Sequence, residues 1–363
     1  MTRDELQKLA AYRLLKESRL ICQWATGTGK SGIVLQFLKA NPEFTCLILV
    51  PEQNNIENWQ TEFSKFGVPM ELVRISCYAS LHKYENTFWD LVVFDEAPHV
   101  DTEKRRTVCE SISAKYVLAL GAVIDDDERF ALESTYGHFY KWEIPLKKAI
   151  EWGILPAPSI RILHMSMDNT TKKYWSSGHR YTALEMYGRI QQKVDSTVSA
   201  YNLSPNKFTQ QQMFRAGNER KRFLGKLKDE AVMKIVSRLE EKNRRFLCFC
   251  ASIKQAEEIG KEKAFTSKTP VSMKLLDKFN NHEINSLFVV GKLIEGQTLV
   301  DIECGVITQL GGTSRITVQE VGRIMRSQNP IIYIPVFDGT KDDSFLYTVT
   351  SNIPEEYVSH YKF

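Results

Sequence analysis

Over the first 120 residues, short apolar runs alternate with stretches whose apolar residues recur every three or four positions. The runs predict strands near residues 20–24, 46–50, 72–77, 91–94 and 116–120, and the stretches between them predict helices at about 5–17, 32–39 and 54–66. A strand that is apolar throughout is covered on both faces, and strands alternating with helices build a parallel, doubly wound sheet. Pro145, Gly153, Pro156 and Pro158 then interrupt the pattern and mark a crossover. A strand at 160–165 follows, then a polar, helix-rich stretch to about 223 that carries Tyr174, Trp175, Tyr181, Tyr187 and Phe214. Alternation resumes with a helix at 226–242, a strand at 245–250, a helix at 253–263, strands at 286–290, 305–309 and 331–336, and a helix at 318–325. The expected fold class is α/β, with two parallel-sheet domains in tandem. They span 1–145 and 160–363, joined by a crossover at 146–159, and a helical insertion occupies about 168–223 of the second.

The length of 363 residues suits about two domains. The start, Met1-Thr2-Arg3-Asp4-Glu5, is too polar for a signal peptide, and the apolar runs are too short for a membrane span. Seven scattered cysteines read as reduced, buried thiols of a cytoplasmic or nuclear protein with no membrane partner. Charge changes the picture more. Residues 168–228 hold twelve Lys or Arg against four acids, a local charge of +8, so the rest of the chain carries −4 of the overall +4. Such a segment favours a polyanionic partner.

The candidate chemistry begins at Ala25-Thr26-Gly27-Thr28-Gly29-Lys30-Ser31, placed after an expected strand and before an expected helix. Glycines let backbone N–H groups curl around phosphate at a helix N-terminus. Lys30 would neutralise the β- and γ-phosphates of a nucleotide and Ser31 would hold Mg²⁺. Trp24 departs from the general pattern, which has a small residue there. The apolar run Leu91-Val92-Val93-Phe94 ends in Asp95-Glu96, a Walker B arrangement. Asp95 would complete the metal shell and Glu96 would deprotonate the attacking water. In Gln319-Glu320-Val321-Gly322-Arg323-Ile324-Met325-Arg326 the two arginines are three apart and share a helix face, suited to charge on a transferring phosphoryl group.

Together these blocks resemble superfamily 2 helicases and nucleic-acid translocases, in the order motif I (Ala25 to Ser31), motif II (Asp95 to Pro98) and motif VI (Gln319 to Arg326). Within that family the chain looks most similar to phage recombination helicases and the motor part of restriction enzymes, and its compact size fits a phage or mobile-element origin. The resemblance implies two RecA-like domains with ATP and Mg²⁺ as cofactors. The site would comprise Lys30, Glu96, Gln319, Arg323 and Arg326 as catalytic residues, with Thr26, Gly27, Thr28, Gly29, Lys30, Ser31, Asp95 and Gly296 around the nucleotide. Gln7 stands where the family places an adenine-reading glutamine. The resemblance also implies nucleic-acid contacts from Pro51 and Gln53 of a motif Ia-like block, Ser76 and Tyr78 of the next strand end, Ser252 of a motif IV-like turn, Gln297 and Thr298 of a motif V-like block, and Thr313 and Ser314. Trp59, in the motif Ia-like block, reads as core. In the basic insertion, Lys172, Lys173, Trp175 and Arg180 would grip phosphates and stack on bases.

Three departures from the family pattern bear on function. Pro98 and His99 replace the usual end of motif II, Thr298 stands for the motif V aspartate, and Leu120-Gly121-Ala122-Val123 lacks the hydroxyls of motif III, the block that couples hydrolysis to strand separation. The expected activity is an ATP-dependent helicase or translocase, acting as a monomer on DNA in replication, recombination or repair. An RNA helicase or remodeller, or an ATPase switch without strand separation, are the alternatives.

Overall fold

The computed structural model describes all residues except 98–107, 267–271, 291–298, 311–323, 325–326 and 352, and the side chains of 272 and 273. The chain divides into two compact units, Met1–Ala157 and most of the residues from Pro158 on.

The first unit runs α1 (Arg3–Glu17), β1 (Arg19–Trp24), α2 (Ser31–Ala40), β2 (Cys46–Val50), α3 (Gln53–Phe66), β3 (Val73–Cys77), a 3₁₀ segment (Tyr78–Tyr84), β4 (Phe88–Phe94), β5 (Ser113–Gly121), α4 (Asp126–Tyr136), β6 (Tyr140–Ile144) and α5 (Leu146–Glu151). Its strands lie in the order β3-β2-β4-β5-β1-β6, and every described pairing is parallel. All six strands therefore end on one edge of the sheet, where ligands bind in such folds. The interior strands show why their runs were legible: Cys46–Val50 is buried at every position. The edge strand β6 was not expected. Its sequence Tyr-Lys-Trp-Glu-Ile mixes polar and aromatic residues, with Ile144 alone buried, so it has no apolar run. Helix α1 starts where Thr2 and Glu5 form a reciprocal capping box, and α4 does the same with Asp125 and Glu128.

The second unit runs β7 (Ser159–Met165), β8 (Tyr174–Ser176), β9 (His179–Tyr181), α6 (Ala183–Leu203), α7 (Lys207–Leu227), α8 (Asp229–Glu241), β10 (Phe246–Phe249), α9 (Ile253–Gly260), β11 (Ala264–Phe265), α10 (Ser272–Asn280), β12 (Ser286–Val289), β13 (Cys304–Ile307), β14 (Ile331–Phe337), α11 (Lys341–Thr350) and β15 (Val358–Lys362). Its parallel sheet has the order β11-β12-β10-β13-β14-β7-β15. The basic segment leaves the end of β7 as an antiparallel ribbon, β8 with β9, followed by the two 21-residue helices α6 and α7. The helix expected at 226–242 is α8 (Asp229–Glu241), and its first expected residues, Lys226 and Leu227, end α7. The two helices meet at Lys228, which is fully buried and placed 2.7 Å from the carboxylate of Asp342.

Among the described residues, no helix is long and apolar enough to cross a membrane.

Candidate nucleotide site and nucleic-acid surface

The first unit's sheet edge gathers the candidate nucleotide residues. Between β1 and α2, Gly27 and Gly29 adopt φ of 89° and 82°, the left-handed region that only glycine enters without strain. The loop leads directly into α2 at Ser31, and glycine turns at a helix N-terminus are the arrangement that holds phosphate. Lys30 lies across the loop and donates from Nζ to the Trp24 carbonyl at 3.0 Å. The hydroxyl of Thr28 is buried and donates to the Ala25 carbonyl at 2.7 Å, so it braces the loop from within. Trp24, the departure from the sequence pattern, has an outward role. Its side chain is fully buried and packs edge-on against Trp142 of β6 at 5.5 Å. It is not among the residues with positive φ, so the backbone there has no need of glycine.

Gln7 of α1 is buried, and its amide donates to the Gly29 carbonyl at 2.7 Å. A Cβ on Gly32 would overlap that amide. Glycine at this position lets α1 rest on the loop.

Asp95 follows β4 on the same edge and is half-buried. Burial, then the neighbouring Glu96 carboxyl, push its pKa up to about 6, against the opposing influence of the Trp59 indole and the Lys30 ammonium. The lysine is thus close enough to act electrostatically on the acid. Both oxygens of Asp95 have donors: Trp59 Nε1 reaches Oδ2 at 2.8 Å and the Glu96 N–H reaches Oδ1 at 3.1 Å. Glu96 itself has φ of 49°, an uncommon conformation for a non-glycine residue. A half-buried carboxylate flanked by a second acid is a place where a hard cation fits.

The nucleic-acid candidates separate into groups. Pro51 and Gln53 follow the end of β2, half-buried and exposed. Ser76 and Tyr78 correct the sequence reading. Ser76 is 7% and Tyr78 2% exposed, and the Tyr78 hydroxyl donates to the backbone carbonyl of Asp95 at 2.9 Å. Neither side chain offers a surface to a strand. Ser252 caps α9 by accepting the Gln255 N–H. Lys172, Lys173, Trp175 and Arg180 are all exposed and gathered at the β8–β9 ribbon, where Trp175 and Arg180 are directly paired across the strands. Gly296, Gln297, Thr298, Thr313, Ser314, Gln319, Arg323 and Arg326 lie outside the described residues, as do Pro98 and His99. Between the two arginines, Ile324 is described and fully buried, packed so close to Gly305 of β13 that a Cβ there would overlap it.

Two features had no sequence signal. Trp59 is core, as expected, but its indole N–H serves Asp95, a partner 36 residues away. The buried ion pair of Lys228 with Asp342 also takes in Gln309, which accepts from Lys228 at 2.8 Å and donates to Asp342 at 2.6 Å. No spacing rule links positions so far apart.

No family model matches the chain. Its sequence is 23% identical over 354 residues to the DNA 3'-5' translocase XPB2 of Sulfurisphaera tokodaii, an alignment covering 90% of this chain and 79% of that protein. Among solved structures, the Hef helicase domain of Pyrococcus furiosus matches with a TM-score of 0.56 and 12% identity, covering 94% of this chain and 97% of the other. The type ISP restriction-modification enzyme LlaBIII, bound to DNA, matches with a TM-score of 0.58 and 14% identity over 99% of this chain and 31% of the enzyme. The chain shares its fold with these two structures. Its two parallel sheets are the tandem RecA-like sheets of that fold.

Proposed function

We propose that this protein is an ATP-dependent DNA translocase of the superfamily 2 type. The observation that carries the reading is one sheet edge bearing both a glycine loop of the phosphate-binding type and a half-buried Asp95-Glu96 pair, with Lys30 acting on Asp95, in a chain with this fold. The sequence relationship to a DNA 3'-5' translocase supports movement along DNA.

In this reading, the N–H groups around Gly27 and Gly29 bind the phosphates of ATP and Lys30 leaves the Trp24 carbonyl for the γ-phosphate. Ser31 and Asp95 would hold Mg²⁺, which supplies charge neutralisation between the β- and γ-phosphates when bound. Glu96 orients and deprotonates the attacking water, and Gln319, Arg323 and Arg326 stabilise charge on the departing phosphoryl group. Gln7 reads the base from its place against the loop. Pro51 and Gln53 contact the strand from the first unit. The ribbon engages DNA with Lys172, Lys173 and Arg180 on phosphates and Trp175 on bases.

Motif III ends β5 without hydroxyls; instead, the Ile124 N–H donates to Gln23 Oε1 at 3.3 Å. That favours translocation over strand separation. The test is ATPase activity of the full chain against single-stranded, duplex and branched DNA and against RNA, with displacement of a labelled strand measured in parallel. DNA stimulation with weak strand displacement is expected. Stimulation by RNA alone would overturn the DNA assignment, and no stimulation by any nucleic acid would overturn the motor.

A further inference from the structure

The indole of Trp59 has more to do than fill the core. It is 4% exposed and packs beside Phe63 with ring centroids 6.2 Å apart, so its ring is fixed by its neighbours. From that position its Nε1 donates to Asp95 Oδ2 at 2.8 Å, while the Glu96 N–H holds Oδ1 at 3.1 Å. The backbone of Asp95 is held as well: its carbonyl accepts from Tyr78 and its N–H donates to the Leu49 carbonyl at 2.9 Å. Of the two donors on the carboxylate, the Glu96 N–H belongs to the adjoining residue and moves with it. Among the described residues, Trp59 is the donor that ties the carboxylate to another element. That element is α3, which starts at Gln53 directly beyond the end of β2. Trp59 lies six positions along the helix from Gln53, a rise of about 9 Å. One rigid helix thus carries at its N-terminus a segment assigned to the nucleic-acid strand, and in its second turn the donor that orients the carboxylate assigned to the metal.

We propose that Trp59 is the positioning residue for Asp95, and that through it the state of the Pro51–Gln53 segment reaches the nucleotide site. With the N–H in place, the oxygen lone pairs of Asp95 that remain would be the ones left to hold the metal. A displacement of α3 by a bound strand changes how the carboxylate is presented. This rests on the reading of the site as an ATP–Mg²⁺ site on a DNA-stimulated motor, and the experiment separates the two.

Trp59→Phe keeps an aromatic ring and deletes the donor. Site-specific replacement of Trp59 by benzothienylalanine keeps the bicyclic shape as well, and serves if the phenylalanine variant melts early. For each, binding of a non-hydrolysable ATP analogue is measured with and without Mg²⁺, followed by the Mg²⁺ half-saturation of hydrolysis and the ratio of DNA-stimulated to basal rate. The expected result is Mg²⁺-free affinity within twofold of wild type, at least a fivefold loss of the Mg²⁺-dependent gain in affinity, and a DNA stimulation ratio reduced severalfold. An unchanged Mg²⁺-dependent gain would overturn the positioning role, and an unchanged stimulation ratio would overturn the link through α3. A wild-type chain that binds the analogue with a Mg²⁺-dependent gain but ignores DNA would instead count against the motor, leaving the binding measurement to decide on Trp59.

Discussion

Gln7 and Gly29 are joined by a 2.7 Å hydrogen bond from the side-chain amide to the carbonyl of the phosphate loop. The bond fastens the first helix to the loop at the turn with φ of 82°. Gln7→Ala removes a net contribution of about 1 kcal/mol, which corresponds to roughly a fivefold weakening of ATP binding. Isothermal titration with ATP, and with GTP for comparison, reads the effect. Equal loss for both nucleotides would show that Gln7 shapes the loop without reading the base.

Lys30 folds back on the Trp24 carbonyl, and its charge opposes the raised pKa of Asp95. Lys30→Ala is expected to abolish hydrolysis while DNA binding, followed by fluorescence anisotropy, stays near wild type. Glu96→Gln keeps the loop and Lys30, so it should retain ATP without turning it over. A lysine variant that hydrolyses normally would remove the site assignment.

Trp175 and Arg180 face each other across the exposed β8–β9 ribbon. The ribbon turns through Ser177 and Gly178, both at positive φ, and has no core of its own to lose. Trp175→Ala should weaken single-stranded DNA binding by about tenfold, within the range of roughly 1–3 kcal/mol for a stacked base. Basal hydrolysis should hold. Arg180→Ala should instead flatten the salt dependence of binding, because it removes a phosphate contact.

Ile324 is buried against Gly305, with no room for a side chain at the glycine. Gly305→Ala would press a methyl group into Ile324 and cost about 1–3 kcal/mol of stability through overpacking. Since Ile324 stands between Arg323 and Met325, hydrolysis should fall further than thermal stability alone explains. Trimming the isoleucine in a Gly305→Ala, Ile324→Val double variant should restore part of the activity.

Lys228 and Asp342 form an ion pair with neither side chain exposed, and burial lowers the lysine pKa while Asp342 works against that. Asp342→Asn leaves the ammonium buried with no compensating charge. A loss of about 3–5 kcal/mol is expected in chemical denaturation. Lys228→Met combined with Asp342→Asn should cost less than the single change. Equal losses would mean that the hydrogen bonds to Gln309 and to the Phe337 N–H matter more than the charge.

Much of this protein was legible because its chemistry is local. The strand, loop and helix around Lys30, and the apolar strand ending at Asp95, are each written within about ten residues, and an interior parallel strand such as Cys46–Val50 is apolar at every position because both faces are covered. The edge strands β6 and β15 escaped because solvent on their outer side permits polar residues and breaks the run. Ser76 and Tyr78 were assigned to a nucleic-acid surface from their place after a strand, yet the packing of the 3₁₀ segment buries both.

What the sequence determined alone was the class of fold and the residues on which the proposed reaction rests, since phosphate binding and sheet burial each impose a short-range pattern on residue types. Which donor holds Asp95, which helix braces the phosphate loop, and how the basic stretch divides into a ribbon and a helical hairpin were decided by tertiary structure. Those contacts join residues dozens of positions apart through shape and buried polarity, and no periodicity along the chain records them.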